Sequence, residues 1–250
     1  MRNIILIAIT LMGLSLFSEG SAPSNILSKI DRHLTFETDL SCTFTMVVYR
    51  NGEKPEMNKM RLYHRGERGG KEEKFLALVI KPDVDKGTGY LGIGDNYWIY
   101  DPESRKFSHS SARENVQDSD TNNDDLGVSS YEDDYDVVSS SEGKLGELEV
   151  YILILKAKNN SVAYENLKLW VGRNIALTYK AEGYSLSGKL MRTVLAPKWT
   201  KIEGHYIYKK VYFIDELKKG NKTILTFEHI SLKKLDDMVF TKAYLERVSR

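Results

Sequence analysis

Ser41-Cys42-Thr43-Phe44-Thr45-Met46-Val47-Val48-Tyr49-Arg50-Asn51-Gly52 alternates side chains for ten residues and then stops at Asn-Gly. A period of two places Cys42, Phe44, Met46 and Val48 on one face of an extended strand, with Thr43, Thr45 and Val47 on the other. Asn-Gly takes up the positive φ angles of a tight hairpin turn, so Met57 to His64 reads as the returning strand. The chain therefore opens an antiparallel meander here.

The same pattern continues downstream. Lys74 to Ile80 and Lys86 to Ile93 read as strands, Gly94-Asp95-Asn96 turns the chain into Tyr97 to Tyr100, and Asp101-Pro102 turns it again. Glu147 to Lys158 is apolar on both faces and reads as a central strand. Tyr164 to Val171, Ile175 to Tyr184, Lys189 to Leu195, Trp199 to Glu203, His205 to Asp215 and Lys222 to Leu232 follow. Upstream, Ser24 can cap a helix whose Ile26, Leu27, Ile30 and Leu34 share one stripe, and Asp236 to Arg247 reads as a closing short helix. About eleven hairpin-connected strands with so few helices predict a mainly β fold: one curved antiparallel sheet, or half-open barrel, closed by short helices. A single domain over residues 21–250 is the simplest division.

The first residues predict export. Arg2 precedes an apolar stretch from Ile4 to Phe17, and Ser18, Gly20 and Ala22 supply a small-residue exit, so residues 1–20 read as a signal peptide. That stretch is shorter than the roughly 20 residues a membrane-spanning helix needs. The single cysteine, Cys42, lies far beyond the position where a lipoprotein is acylated, and one thiol forms no internal disulfide. The expectation is an exported, unlipidated monomer held together by its core. A net charge of +1 without a basic stripe argues against nucleic acid as a partner.

The strand pattern fails in an acidic loop, residues 114–143. Nine carboxylates fall between Glu114 and Asp136 with no Lys or Arg among them, which predicts a solvated, mobile segment. Asp118, Asp120, Asn122 and Asp124 alternate like a calcium loop. Asn123 stands where the turn needs Gly, however, and Ser129 where a bidentate Glu should close the site, so no metal is expected. Gly87-Thr88-Gly89-Tyr90-Leu91-Gly92 has the spacing of a dinucleotide fingerprint but is followed by a strand, not a helix. These glycines read as sheet bends and close approaches, and no cofactor is expected. The five histidines have no ligand spacing, and no catalytic motif stands out, so the chain reads as a non-enzyme.

Asp95-Asn96-Tyr97-Trp98-Ile99-Tyr100-Asp101-Pro102 resembles a segment of the outer-membrane lipoprotein-sorting (LolA-like) periplasmic carriers. Asn166 to Val171, Tyr184 to Lys189, Ile202-Glu203-Gly204-His205, Thr223-Ile224-Leu225, Phe240-Thr241 and Leu245-Glu246 extend the likeness, in that family's order, over Lys86 to Arg247. The chain departs from the pattern by an insertion between Asp118-Ser119-Asp120 and Ser130-Tyr131-Glu132-Asp133-Asp134.

The resemblance implies a LolA/LolB-like barrel whose apolar cavity holds lipoprotein or other lipid acyl chains. An inner-membrane transporter would load it and an outer-membrane acceptor would unload it. Cavity candidates are Phe44, Met46, Val48, Leu62, Leu76, Leu78, Trp98, Tyr100 and Leu169. Arg65, by analogy with a lid-pinning arginine of the family, and Asp118, Asp120, Asp124 and Asp125 of the acidic loop are lid or docking candidates. The rival readings are an accessory binding module of an envelope export pump and an envelope lipid hydrolase.

Overall fold

The computed structural model describes residues 21–34, 39–66, 72–111, 113–126, 130–160 and 162–250. The segment 1–20, read from the sequence as a signal peptide, lies outside them.

Among the described residues, thirteen strands form one antiparallel sheet. The first six are β1 (Leu40–Tyr49), β2 (Glu56–Arg65), β3 (Lys74–Lys81), β4 (Gly89–Ile93), β5 (Asn96–Asp101) and β6 (Lys106–Ser110). The rest are β7 (Tyr135–Leu145), β8 (Leu148–Ala157), β9 (Asn166–Gly172), β10 (Thr178–Tyr184), β11 (Leu190–Ile202), β12 (His205–Asp215) and β13 (Lys222–Ser231). The order across the sheet is β6-β5-β4-β3-β2-β1-β13-β12-β11-β10-β9-β8-β7. Each half is a plain meander, and the first and last strands pair at the centre, with Met46 opposite Leu225. The two edges, β6 and β7, are consecutive in sequence, so the segment between them spans the open side.

The period-two reading of β1 holds residue by residue: burial alternates along all ten positions, and Phe44 and Met46 are fully buried. The strand count differs from about eleven for local reasons. β6 is five residues of mostly exposed polar character. β7 lies inside the stretch read as an acidic loop; as an edge strand it leaves Asp136, Val137, Val138 and Ser139 exposed, so no apolar face marked it. Lys189 to Leu195 and Trp199 to Glu203 are one strand, β11, whose pairing slips on either side of Lys198, next to Pro197. A proline has no N–H to give the ladder, and a bulge absorbs it.

Three helices close the sheet. α1 (Ile26–Leu34) buries Ile26, Leu27 and Ile30 against Leu153, Leu155, Leu167 and Leu169 of β8 and β9. α2 (Tyr131–Asp134) is one turn, capped twice: Ser130 accepts from Asp133 N, and Asp31 of α1 accepts from Tyr131 N at 3.0 Å and Glu132 N at 2.8 Å. Burial raises the Asp31 carboxyl above its ordinary pKa although these two N–H groups favour its ionised form. α3 (Lys242–Val248), capped by Thr241, packs on the other side of the sheet, where Leu245 meets Leu76, Leu78, Leu91 and Tyr100. Gly89 leaves the space that Leu245 fills, and Gly92 lies against the Phe75 ring, so these glycines of the 87–92 motif are close-approach positions.

Candidate functional site

The concave side of the sheet is filled at both flanks and hollow between them. On one flank, Phe44, Met46 and Val48 of β1 pack with Met60, Phe75, Ala77, Val79 and Tyr90, covered by Val116 and Leu126 from the β6–β7 segment. On the other, α1 fills the space over β8 to β10. Between them lies a cavity of about 280 Å³, walled by Cys42 and Leu62 and, from β11 to β13, by Ala196, Ile207, Val211, Phe213 and Leu225. It reaches the surface beside the half-exposed His33, Tyr179, Lys180 and Tyr206.

The polar groups on its wall are mostly held. His64 Nε2 lies 2.6 Å from Glu73 Oε1, and the Tyr208 hydroxyl donates to Thr178 O at 2.8 Å. Burial keeps the Tyr208 phenol protonated well beyond its ordinary range, and pushes the Cys42 thiol up to about 12. The wall therefore presents carbon, an inert thiol and hydrogen-bonded polar groups, with the Thr178 hydroxyl as a buried polar atom that finds no partner among the described residues. Among the described residues, no group of three or more His, Cys, Asp and Glu could hold a metal.

The segment from Glu114 to Asp136 was expected to be solvated and mobile, and the structure corrects this for its described part up to Leu126. Val116, Ser119, Thr121, Asn122, Asn123 and Leu126 are all buried. Asp120 accepts from Arg50 Nη1 at 2.9 Å and from Thr223 Oγ1 at 2.9 Å. Asp125 accepts from Arg192 Nη2 at 2.6 Å and closes a capping box with Asn122. Arg50 also donates to Asp118 O. The cations missing from the segment are thus supplied by Arg50, just past the end of β1, and by Arg192 of β11, and the segment is a strap across the concave face. Asp124 lies in the 3-10 turn Asn123–Asp125.

Arg65 fastens a different element. It grips Asp39 through Nε at 2.9 Å and Nη2 at 2.7 Å, bonds Asp237 and Leu235 O, and stacks over Phe240 at 4.8 Å. It ties the C-terminal 3-10 turn Asp237–Phe240 to the start of β1, away from the strap.

The nine expected cavity residues divide among four places. Leu62 lines the cavity. Phe44, Met46 and Val48 lie in the filled flank under the strap. Leu169 packs under α1. Leu76, Leu78, Trp98 and Tyr100 lie on the opposite face, with α3. β3 is apolar on both sides, and its concave residues are Phe75, Ala77 and Val79. The walls supplied by β10 to β13 were not singled out in sequence. Their signal was the alternation Ile207, Val211, Phe213 in β12, which marks a buried face but not a hollow one.

A DUF1329 family protein of Desulfovibrio piger superposes with a TM-score of 0.81 at 21% identity, covering 88% of this chain and 96% of its own. A LolA superfamily protein of Nitrosomonas europaea gives 0.74 at 22%, covering 88% and 97%. A Vibrio parahaemolyticus domain named for outer membrane lipoprotein sorting gives 0.79 at 19%, also covering 88% and 97%. At these identities the likeness is one of fold. No curated protein sequence matches the chain. The profile of a family described as uncharacterized proteins matches residues 71–247, more than half of the sequence. The chain therefore belongs to that family of uncharacterized proteins, and its fold is that of the LolA superfamily.

Proposed function

We propose that the protein is a periplasmic carrier that shields the acyl chains of a lipoprotein, or of another lipid, in the cavity between the strap and α1. The observation that carries this reading is the hollow itself. Native interiors pack without sizeable voids, and an empty apolar space of about 280 Å³ forfeits contacts that a smaller concavity would have kept. At roughly 30 Å³ for a group the size of a water molecule, it accepts on the order of ten methylenes. At about 0.8 kcal/mol each, burying them is worth roughly 8 kcal/mol, enough to hold a chain that water rejects.

The cavity sits at the low end of the roughly 300–1,000 Å³ of ordinary ligand pockets, which favours one acyl chain at a time unless the strap or α1 moves. The fold shared with a protein named for lipoprotein sorting adds support. Loading by an inner-membrane transporter and delivery to an outer-membrane acceptor complete the reading, with the protein acting as a monomer and performing no chemistry. The test is solvent extraction and mass spectrometry of protein purified from its envelope. An acylated species in stoichiometric amount is expected. A clean extract, together with failure to bind a dansyl fatty acid, ends the carrier reading.

A further inference from the structure

At the cavity mouth Lys180 pairs with Glu182 at 2.7 Å, but two other cations of the rim are exposed without a described carboxylate. Around the strap and the C-terminal turn, Arg50, Arg65 and Arg192 each meet a carboxylate. At the rim, Arg32 at the end of α1 and Lys201 near the tip of the β11–β12 hairpin are exposed, and neither is in an ion pair with a described carboxylate. Lys201 instead lies over the Tyr206 ring, 5.2 Å from its centroid. Tyr206 meets Trp199 edge to face at 5.1 Å and His33 at 5.5 Å. His33 is held below its ordinary pKa by burial first, and then by Arg32 and His205. Glu203, at the turn of the hairpin, is the nearby carboxylate in sequence and points to solvent.

Trp199 lies opposite Tyr208 and Lys201 opposite Tyr206 in the β11–β12 register, and both tyrosines line the cavity. The hairpin's aromatic and basic side chains thus continue the cavity wall outward to the surface. Trp199 is 37% exposed, whereas Trp170 is buried under Lys168 and Lys180.

We propose that this rim, Trp199, Lys201 and Tyr206 with Arg32 and His33, docks on an anionic phospholipid surface and sets the cavity mouth against the membrane. The inference rests on the carrier reading. Unpaired cations match negative headgroups, and an exposed tryptophan beside a tyrosine suits the boundary between headgroups and acyl chains. A partly exposed indole at the mouth of an apolar cavity also gives a departing acyl chain a continuous apolar path. An acidic protein surface would satisfy the cations, but it gives no such use to the indole.

Flotation with phosphatidylglycerol–phosphatidylcholine vesicles, and with phosphatidylcholine vesicles alone, tests the proposal on the mature protein. Binding is expected to the anionic vesicles only, to weaken with added salt, and to fall about 25-fold in the Arg32→Gln/Lys201→Gln variant, at roughly fivefold per cation. Indole fluorescence should shift to the blue on binding, and Trp199→Phe should abolish the shift. Dansyl fatty acid binding, measured on the same samples, should be unchanged by Arg32→Gln, because Arg32 is exposed and lies outside the cavity lining. Equal binding to both kinds of vesicle, no vesicle binding, or retention on polyglutamate without vesicle binding overturns the docking. Protein that binds the dansyl probe but no vesicle leaves the carrier reading standing. Protein that binds vesicles but never the probe sinks the carrier reading and keeps the docking.

Discussion

Cys42 and Arg65 show how much a single side chain depends on what surrounds it. Burial pushes the Cys42 thiol up to about 12, because a thiolate in the wall of an apolar cavity has lost its water. The native protein should therefore resist iodoacetamide at pH 8.5 and react quantitatively once unfolded. A raised folded-state value also means that Cys42 contributes its stability fully below the unfolded thiol pKa and loses it as pH climbs toward 12. Cys42→Ala should flatten that alkaline decline in a pH series of melting temperatures. Arg65 makes the opposite case. Its partner Asp39 is 1% exposed, so Arg65→Met would strand a buried carboxylate at a cost of about 3–5 kcal/mol. Thermal melting should fall by roughly 6–20 °C. Lys81, paired with Asp83 in full solvent, should tolerate the same change without a measurable shift.

The strap is the element that sequence reasoning described least well, and the reason is physical. Its carboxylates look solvated because no cation lies near them in the chain, yet Arg50 stands 70 residues from Asp120 and Arg192 stands 67 from Asp125. Local composition carries no sign of such pairings. β1 was legible because its alternation and its Asn-Gly turn are local facts, and the glycines of the 87–92 motif were legible for the same reason. β7 was not, because an edge strand needs no apolar face. In a solvated segment, neutralising Asp118, Asp120, Asp124 and Asp125 together would leave stability nearly unchanged. With Asp120 and Asp125 pinned by arginines, and Arg192 almost wholly buried, replacing those two with asparagines should cost at least about 3 kcal/mol in urea unfolding. Trp98 belongs to the opposite face, where Lys242 lies 4.2 Å above its ring. Trp98→Ala should loosen α3 by about 3 kcal/mol while dansyl fatty acid binding stays as it was, and loss of binding without loss of stability would contradict this placement.

Across the whole molecule, one sheet has two flanks that are plugged by unrelated means, the strap on one side and α1 on the other, and the hollow is what the two plugs leave. Period-two patterns gave the buried faces of the strands, but hollowness is a relation among β1, β2 and β10 to β13, and no strand carries it alone. The decisive variant therefore fills space without disturbing either plug. Ala196 lies on the cavity wall, 5% exposed, in the long strand β11. Ala196→Phe would direct a ring toward the empty volume, which relieves the crowding that makes overpacking in a dense core cost about 1–3 kcal/mol. The melting temperature should hold or rise slightly, while dansyl fatty acid affinity falls by at least about tenfold, because the ring takes the place of roughly half the methylenes the cavity can accept. A filled cavity that binds the probe as before would mean that the acyl chain goes elsewhere, and the hollow would then need another explanation.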